Sequence, residues 1–197
     1  MREDEEHMPL TATLVAEPRQ RRAPATFHEL VEQYKRPLYA LSYDLTGNHH
    51  DAEDLSQEVF IKAFRGVADF RGEAQVYSWL YRITVNTYLN KRRKKALRFR
   101  QLWDDFSQAP HNHGPEPEPD RHAEADVMRR HVETALKQLS PRERSAFVLR
   151  HYQDLSLKEV ADLMEVAEGT VKSLLFRATQ KLRTALAFYR EDLGLPS

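Results

Sequence analysis

The sequence predicts an all-α fold: two small helical domains joined by an extended linker. Three observations predict it. Apolar residues recur every three or four positions through most of the chain, the period of one helix face. The composition, with ten Pro and six Gly in 197 residues beside abundant Leu, Glu, Arg and Ala, favours helix over sheet. The period then fails over 100–123, where Pro110 to Asp120 (PHNHGPEPEPD) holds four prolines, a glycine and three acids and cannot continue a helix.

Residues 1–25 mix charge with Pro9, Pro18 and Pro24, show no apolar period, and read as a disordered tail. A helix starts at Thr26, with Phe27, Leu30, Val31, Tyr34, Leu38 and Leu41 on its stripe. Pro37 falls inside it and predicts a kink or break near Arg36. Gly47-Asn48 ends it. Asp51 is the expected N-cap of the next helix, whose stripe is Leu55, Val59, Phe60, Ala63 and Phe64. After a loop from Gly66 to Glu73, a third helix is expected from about Gln75 to Phe99. It carries Tyr77, Trp79, Leu80, Ile83, Val85, Tyr88 and Leu89 and closes in the cations Lys91, Arg92, Arg93, Lys94 and Lys95. Such a helix can neutralise phosphates with its basic end and stack aromatic rings on unpaired bases. Its plainer reading is a core-facing helix with a solvated basic tail.

Beyond the linker, Val127, His131, Val132, Ala135, Leu136 and Leu139 give a helix. Ser140-Pro-Arg-Glu143 is a start signal, with Ser as N-cap, Pro at the first helical position and Glu at the capping-box position. Its helix carries Ala146, Phe147, Leu149 and Tyr152. Ser156-Leu-Lys-Glu159 is a second capping box, ahead of Val160, Ala161, Leu163 and Met164. A turn at 165–168 leads to a last helix with Val171, Leu175, Ala178, Leu182 and Leu186 inward. Two short helices across a tight turn, the second flanked by cations, describe a helix-turn-helix. Thr170, Lys172 and Ser173 are placed to reach base edges, with Phe176 beside them unless it is core. Arg177, Lys181 and Arg183 suit phosphates.

Composition narrows the function. The absence of cysteine excludes disulfides, thiolate metal sites and a cysteine nucleophile, and fits a reducing cytoplasm. No apolar run is long enough to span a membrane, and MREDEEHMPL is too acidic for a secretory signal. Thirty bases balance thirty acids, yet the charge is segregated. Phe27 to Phe60 sets Glu29, Glu32, Asp44, Asp51, Glu53, Asp54 and Glu58 against Lys35 and Arg36, while Ile61 to Arg100 is strongly basic. An acidic half beside a basic half implies two different partners, one of them nucleic acid. His111 and His113 lack further ligands and read as solvent-exposed.

Asp51-Ala-Glu-Asp-Leu-Ser-Gln-Glu-Val-Phe60, Phe70-Arg-Gly with Trp79-Leu-Tyr-Arg-Ile-Thr-Val-Asn86, Leu139-Ser-Pro-Arg-Glu-Arg144, and Leu155-Ser-Leu-Lys-Glu-Val-Ala161 with Gly169-Thr-Val-Lys-Ser173 stand in this order. Together they resemble a bacterial sigma factor of the sigma-70 family, extracytoplasmic-function (group 4) type. The likeness covers about Phe27 to Arg190. It implies a region 2-like domain over 26–99 that binds core RNA polymerase and the −10 element. It also implies a flexible linker over 100–123 and a region 4-like domain over 124–192 that binds the −35 element. Asp54, Gln57, Glu58 and Phe60 match the segment that docks on the β′ clamp helices. The loop from Gly66, with Phe70 and Arg71, matches the one that captures a flipped −10 base. Phe70, Ile83 and Asn86 fall where the family lines that pocket, Asn90 lies nearby, and Lys91, Arg92 and Arg93 lie on phosphates. Thr170, Lys172, Ser173, Phe176, Arg177 and Lys181 match the −35 reader. The resemblance further implies a contact with the β flap, a linker whose acids mimic nucleic acid near the RNA exit path, an anti-sigma partner, no cofactor or metal, and no catalysis.

The chain departs from the family at Ala167, a poor N-cap, at Leu174, where relatives often carry Arg, and at Lys172, which replaces a frequent Arg. The competing readings are a stand-alone helix-turn-helix repressor or activator, and a small hydrolase around His49, His50 and Asp51. The first leaves the aromatic-basic helix and the acidic ridge unexplained, and the second lacks a nucleophile.

Overall fold

A computed structural model describes residues 26–67, 76–105 and 124–189, and these contain helices and no strand. Helix α1 spans Phe27–Thr46, with the Thr26 hydroxyl accepting from the Glu29 amide at 3.1 Å. It runs through Pro37 without the break that the sequence suggests. Proline inside a helix costs about 3 kcal/mol. Tyr34, Leu38, Leu41 and Leu45 flank it, each 2% exposed or less, and burying each such side chain returns about 1.5–3 kcal/mol. Burial wins.

Gly47 closes α1 in the left-handed region, φ 77°, and its N–H donates to Tyr43 O. That tight stop leaves Asn48 already extended, so Asn48 caps α2 (His49–Gly66) in place of Asp51. Asn48 Oδ1 accepts from the Asp51 amide at 2.8 Å, and Asn48 Nδ2 donates to Asp51 Oδ2 at 2.9 Å. Gly66 is the last residue of α2 rather than the first of a loop. Helix α3 spans Val76–Asp105, beyond the expected end at Phe99. Every residue from Lys91 to Arg100 on it is exposed, so strong helix formers and not packing sustain this part.

The second half comprises α4 (Glu124–Lys137), α5 (Pro141–Phe147), a π-helical turn (Val148–Tyr152), α6 (Leu157–Met164) and α7 (Glu168–Ala185). Both expected capping boxes, on Ser140 and Ser156, are formed. The α7 stripe differs by one position from expectation, since Val171, Leu174 and Ala178 are buried and Leu175 is half-buried.

The two halves touch. Helix α3 packs on α5 and α6, α1 packs on the π-helical turn, and one apolar cluster runs from Leu38 and Leu45 to Val148, Leu149 and Leu155. At this seam Arg144 Nε donates to the Asp44 carbonyl at 2.8 Å, and the buried Tyr81 hydroxyl donates to Gln153 Oε1 at 2.8 Å. Burial pushes the Asp44 carboxyl up to about 7, against the pull of Arg144 and the Gln153 hydrogen bond.

Candidate nucleic-acid interface

At 3.6 residues per turn, α3 places Ile83, Asn86, Asn90 and Arg93 on one face. Ile83 and Asn86 are half-buried; Asn90 and Arg93 are exposed. The face is held from below by buried Leu80, Tyr81 and Val85 and by the half-buried Trp79, whose ring lies 3.5 Å from where a Cβ on Gly66 would stand. The Thr84 hydroxyl turns back to Leu80 O and Lys62 Nζ donates to the Thr87 hydroxyl, so these polar groups are satisfied internally. Phe70 and Arg71 lie outside the described residues.

The cations of α3 do not form one surface. Lys91, Arg92, Lys94, Lys95 and Arg98 line a cleft of about 550 Å³ opposite Asp51 and Asp54, with Leu55, Tyr88 and Phe99 also on its wall. Most of them point away from the Asn86 face. Of the cluster, Arg93 shares that face. Lys91 is also tied down, since its Nζ stands 3.2 Å from Glu58, which pairs with Lys62 at 2.8 Å as well. The Lys62 hydrogen bond, with Lys91 in support, holds the Glu58 carboxyl below the usual range despite some burial.

Along α2, Asp54, Gln57, Ile61 and Phe64 share one exposed face. Phe64, expected in the core stripe, is 63% exposed and meets Phe27 edge-to-face at 5.1 Å; Ile61 is 52% exposed. Phe60 is half-buried behind them. The ridge is therefore acidic at one end and apolar at the other. Contiguous exposed aromatic and aliphatic surface rimmed by polar groups marks an interaction site. The sequence carried a signal for it, because Phe60, Ile61, Phe64 and Val67 are too many apolar residues for one inward stripe.

In the helix-turn-helix, Glu165 takes the left-handed turn position (φ 55°) and α7 opens on Ala167, which has cap geometry but no side-chain acceptor. Thr170, Lys172, Ser173 and Phe176 are exposed; Phe176, at 65%, is not core. Leu174 is buried at 4%, so it does not face a ligand. Arg177 and Lys181 extend the outer face, but both pair with Glu143 of α5, at 3.4 and 2.7 Å. Burial alone would raise the Glu143 carboxyl; Lys181 and the Ser140 amide and hydroxyl override it and hold it at about 2.

The Sigma-70 region 2 model matches residues 30–98 and the Sigma-70 region 4 model matches 129–182. The chain belongs to the sigma-70 family. Its relatives place it in the extracytoplasmic-function type. It is 36% identical over 168 residues to the ECF RNA polymerase sigma factor SigE of Mycolicibacterium smegmatis, covering 85% of this chain and 64% of that one. It is 32% identical to the RNA polymerase sigma-H factor of Pseudomonas aeruginosa, covering 81% and 86%. Among solved structures it resembles the sigma factor RpoE of Bartonella quintana, in complex with the anti-sigma factor NepR, with TM-score 0.62, 25% identity, and 82% and 96% coverage. In this sigma factor, region 2 is thus α1 to α3 and region 4 is α4 to α7. No helix among the described residues is long and apolar enough to cross a membrane.

Proposed function

We propose that this sigma factor binds core RNA polymerase, brings it to promoters through their −10 and −35 elements, and assists melting, with no chemistry of its own. The observation that carries the reading is the presence of regions 2 and 4 in order on one chain, each with an exposed polar face. The α2 ridge is the polymerase-docking surface: Asp54 and Gln57 at its polar end, Phe60, Ile61 and Phe64 at its apolar end. Glu58 contributes less than its charge suggests, because Lys62 and Lys91 already occupy it. The Asn86 face of α3, together with Gly66 at the end of α2 and with Phe70 and Arg71, takes an extruded −10 base, whose unstacking costs a few kcal/mol. Asn86 offers hydrogen bonds to its edge, Ile83 an apolar wall, and Asn90 and Arg93 the flanking contacts. Lys91 and Arg92 contact phosphates from the other flank of α3.

In region 4, Thr170, Lys172, Ser173 and Phe176 face the −35 bases, and Arg177 and Lys181 face phosphates. The likeness to a sigma factor held by an anti-sigma factor supports a similar partner here, covering the same two docking faces. With polymerase and chromosome as partners, the site of action is the cytoplasm. A stand-alone helix-turn-helix regulator would have no use for the α2 ridge.

Transcription in vitro with sigma-free core polymerase tests the reading. Wild type should start promoter-dependent transcripts, and Asp54→Lys with Phe64→Ala should lose core affinity by about tenfold or more, as expected when an interface aromatic is truncated. Failure of the wild type to bind core would leave only the regulator reading.

A further inference from the structure

Glu143 carries a negative charge against the cationic face of α7, on a side chain only 5% exposed. The capping box fixes it there: Ser140 Oγ accepts from the Glu143 amide at 3.3 Å, and Glu143 Oε2 accepts from the Ser140 amide at 2.8 Å. On α7, Ser173, Arg177 and Lys181 follow one another at i, i+4 spacing and share a face. Lys181 Nζ donates to Glu143 Oε2 at 2.7 Å, and Arg177 Nε stands 3.4 Å from Oε1. One carboxylate thus holds both cations of a row that begins at Ser173 of the proposed base reader. Like charges one turn apart repel, and the shared carboxylate offsets that. Neither cation is used up. Ammonium and guanidinium both keep further N–H donors, and the two side chains are 44% and 54% exposed. With its carboxyl held at about 2, Glu143 is ionised throughout the neutral range.

Such a carboxylate acts differently on two kinds of DNA complex. Binding to arbitrary sequence rests on counterion release, so it follows the number of available cations and ignores their exact placement. An anion that cancels part of the charge of Arg177 and Lys181 weakens it. Binding to a matched site fixes the protein's register on the duplex, so each cation must meet a phosphate at one place. Arg and Lys side chains are rich in rotamers, and holding them beforehand removes ordering that the matched complex would otherwise have to impose. The matched complex loses charge attraction but gains preorganisation, whereas the arbitrary complex only loses. Glu143 itself, enclosed where α5 packs on α7, is shut off from the duplex.

We propose that Glu143 is a positioning residue for −35 recognition: its carboxylate sets Arg177 and Lys181 in place and lowers their charge, so that α7 separates a matched site from arbitrary DNA better than its base contacts alone allow. The proposal rests on the −35 reading above. Holoenzyme assembled from core polymerase and the full chain is titrated against two labelled duplexes, with core alone as background. One duplex carries the −35 element of a promoter that wild type transcribes; in the other that element is scrambled. Glu143→Gln keeps the shape and the capping box but removes the charge. Its affinity for the scrambled duplex should rise about threefold, and the salt slope should steepen by about 0.9 for each cation set free. Affinity for the matched duplex should stay level or fall, so that discrimination drops by about threefold or more. Glu143→Asp keeps the charge and draws it back by one methylene, and here the matched duplex alone should weaken. Helical circular dichroism should match wild type in both, and if the glutamine variant loses helix, the aspartate variant decides. Parallel changes on the two duplexes, in either direction, would overturn the proposal, because a residue that merely holds the fold affects both alike. If wild-type holoenzyme does not prefer the matched duplex, the −35 reading fails. The scrambled duplex then still decides whether Glu143 restrains the two cations, and an unchanged affinity and slope there would overturn that as well.

Discussion

Asn86 is the residue on which the proposed base-reading face turns, because it is half-buried on a helix where the neighbouring Thr84 and Thr87 hydroxyls are already bonded internally. Losing such a hydrogen-bonding group costs about 1–2 kcal/mol, roughly tenfold. Asn86→Ala should therefore slow −10 opening about tenfold, read with a fluorescent base analogue in the non-template strand, and leave −35 duplex binding unchanged. Equal loss at both elements would remove Asn86 from the pocket. Glu143 makes a second prediction at this scale. Its carboxyl is held at about 2 in the fold against an ordinary 4.5. A lowered native value means stability present above the ordinary value and lost as pH falls through the native one. Thermal melts should then show part of the acid destabilisation between pH 5 and 2 disappear in Glu143→Gln, which keeps a side chain able to complete the capping box. An unchanged acid profile would mean that the pairs with Arg177 and Lys181 add nothing.

At the scale of elements, α7 begins without a side-chain cap, although Ala167 already has extended geometry (φ −69°, ψ 148°). Ala167→Ser should stabilise by about 1 kcal/mol, and for a chain of this size the melting temperature should rise by about 2–4 °C. A fall would show that the cap position is occupied in another way. The helices themselves were legible: the Ser140 and Ser156 capping boxes lie where their spacing puts them. The misses have local causes. Asp51 lost the cap to Asn48 because Gly47 stops α1 so abruptly. Periodicity puts Phe64 inside because it identifies a helix face but not whether another element covers it. Leu174 displaced Leu175 from the core by one position, within what the breadth of an apolar stripe allows. Pro37 misled because the burial that outweighs it comes from other helices. The division of the α3 cations between opposite faces was readable from a 100° wheel, but only the N-terminal half of α2 shows what the far side meets.

For the whole molecule, the seam was the least legible feature, since Arg144, Gln153 and Asp44 look like surface residues in sequence and bond partners 72 to 109 positions away. It makes closure sensitive to protons. Asp44 titrates at about 7 when closed and near 3.8 when exposed, and Arg144, Gln153 and Tyr152 face it from the elements packed around it. A raised value in the closed state means closure is favoured on the acid side and weakened as pH rises toward 7, levelling above it. Energy transfer between dyes on Arg36→Cys and Asp162→Cys, both at exposed positions on a chain without cysteine, should thus fall from pH 5.5 to 7.5, and Asp44→Asn should flatten the curve; a slope that survives in the variant would assign it to another group. The guanidinium that ends α1 also limits how far this protein can be treated as interchangeable parts. A hybrid in which region 4 is replaced by one lacking an arginine at this place would leave the first helix of region 2 unfinished, and its Gly47 a gap with nothing to fill it. Retargeting the chain to a different −35 sequence by exchanging the whole domain would then weaken a part outside the proposed −35 reader, whereas replacing only that reader's Thr170, Lys172, Ser173 and Phe176 would not.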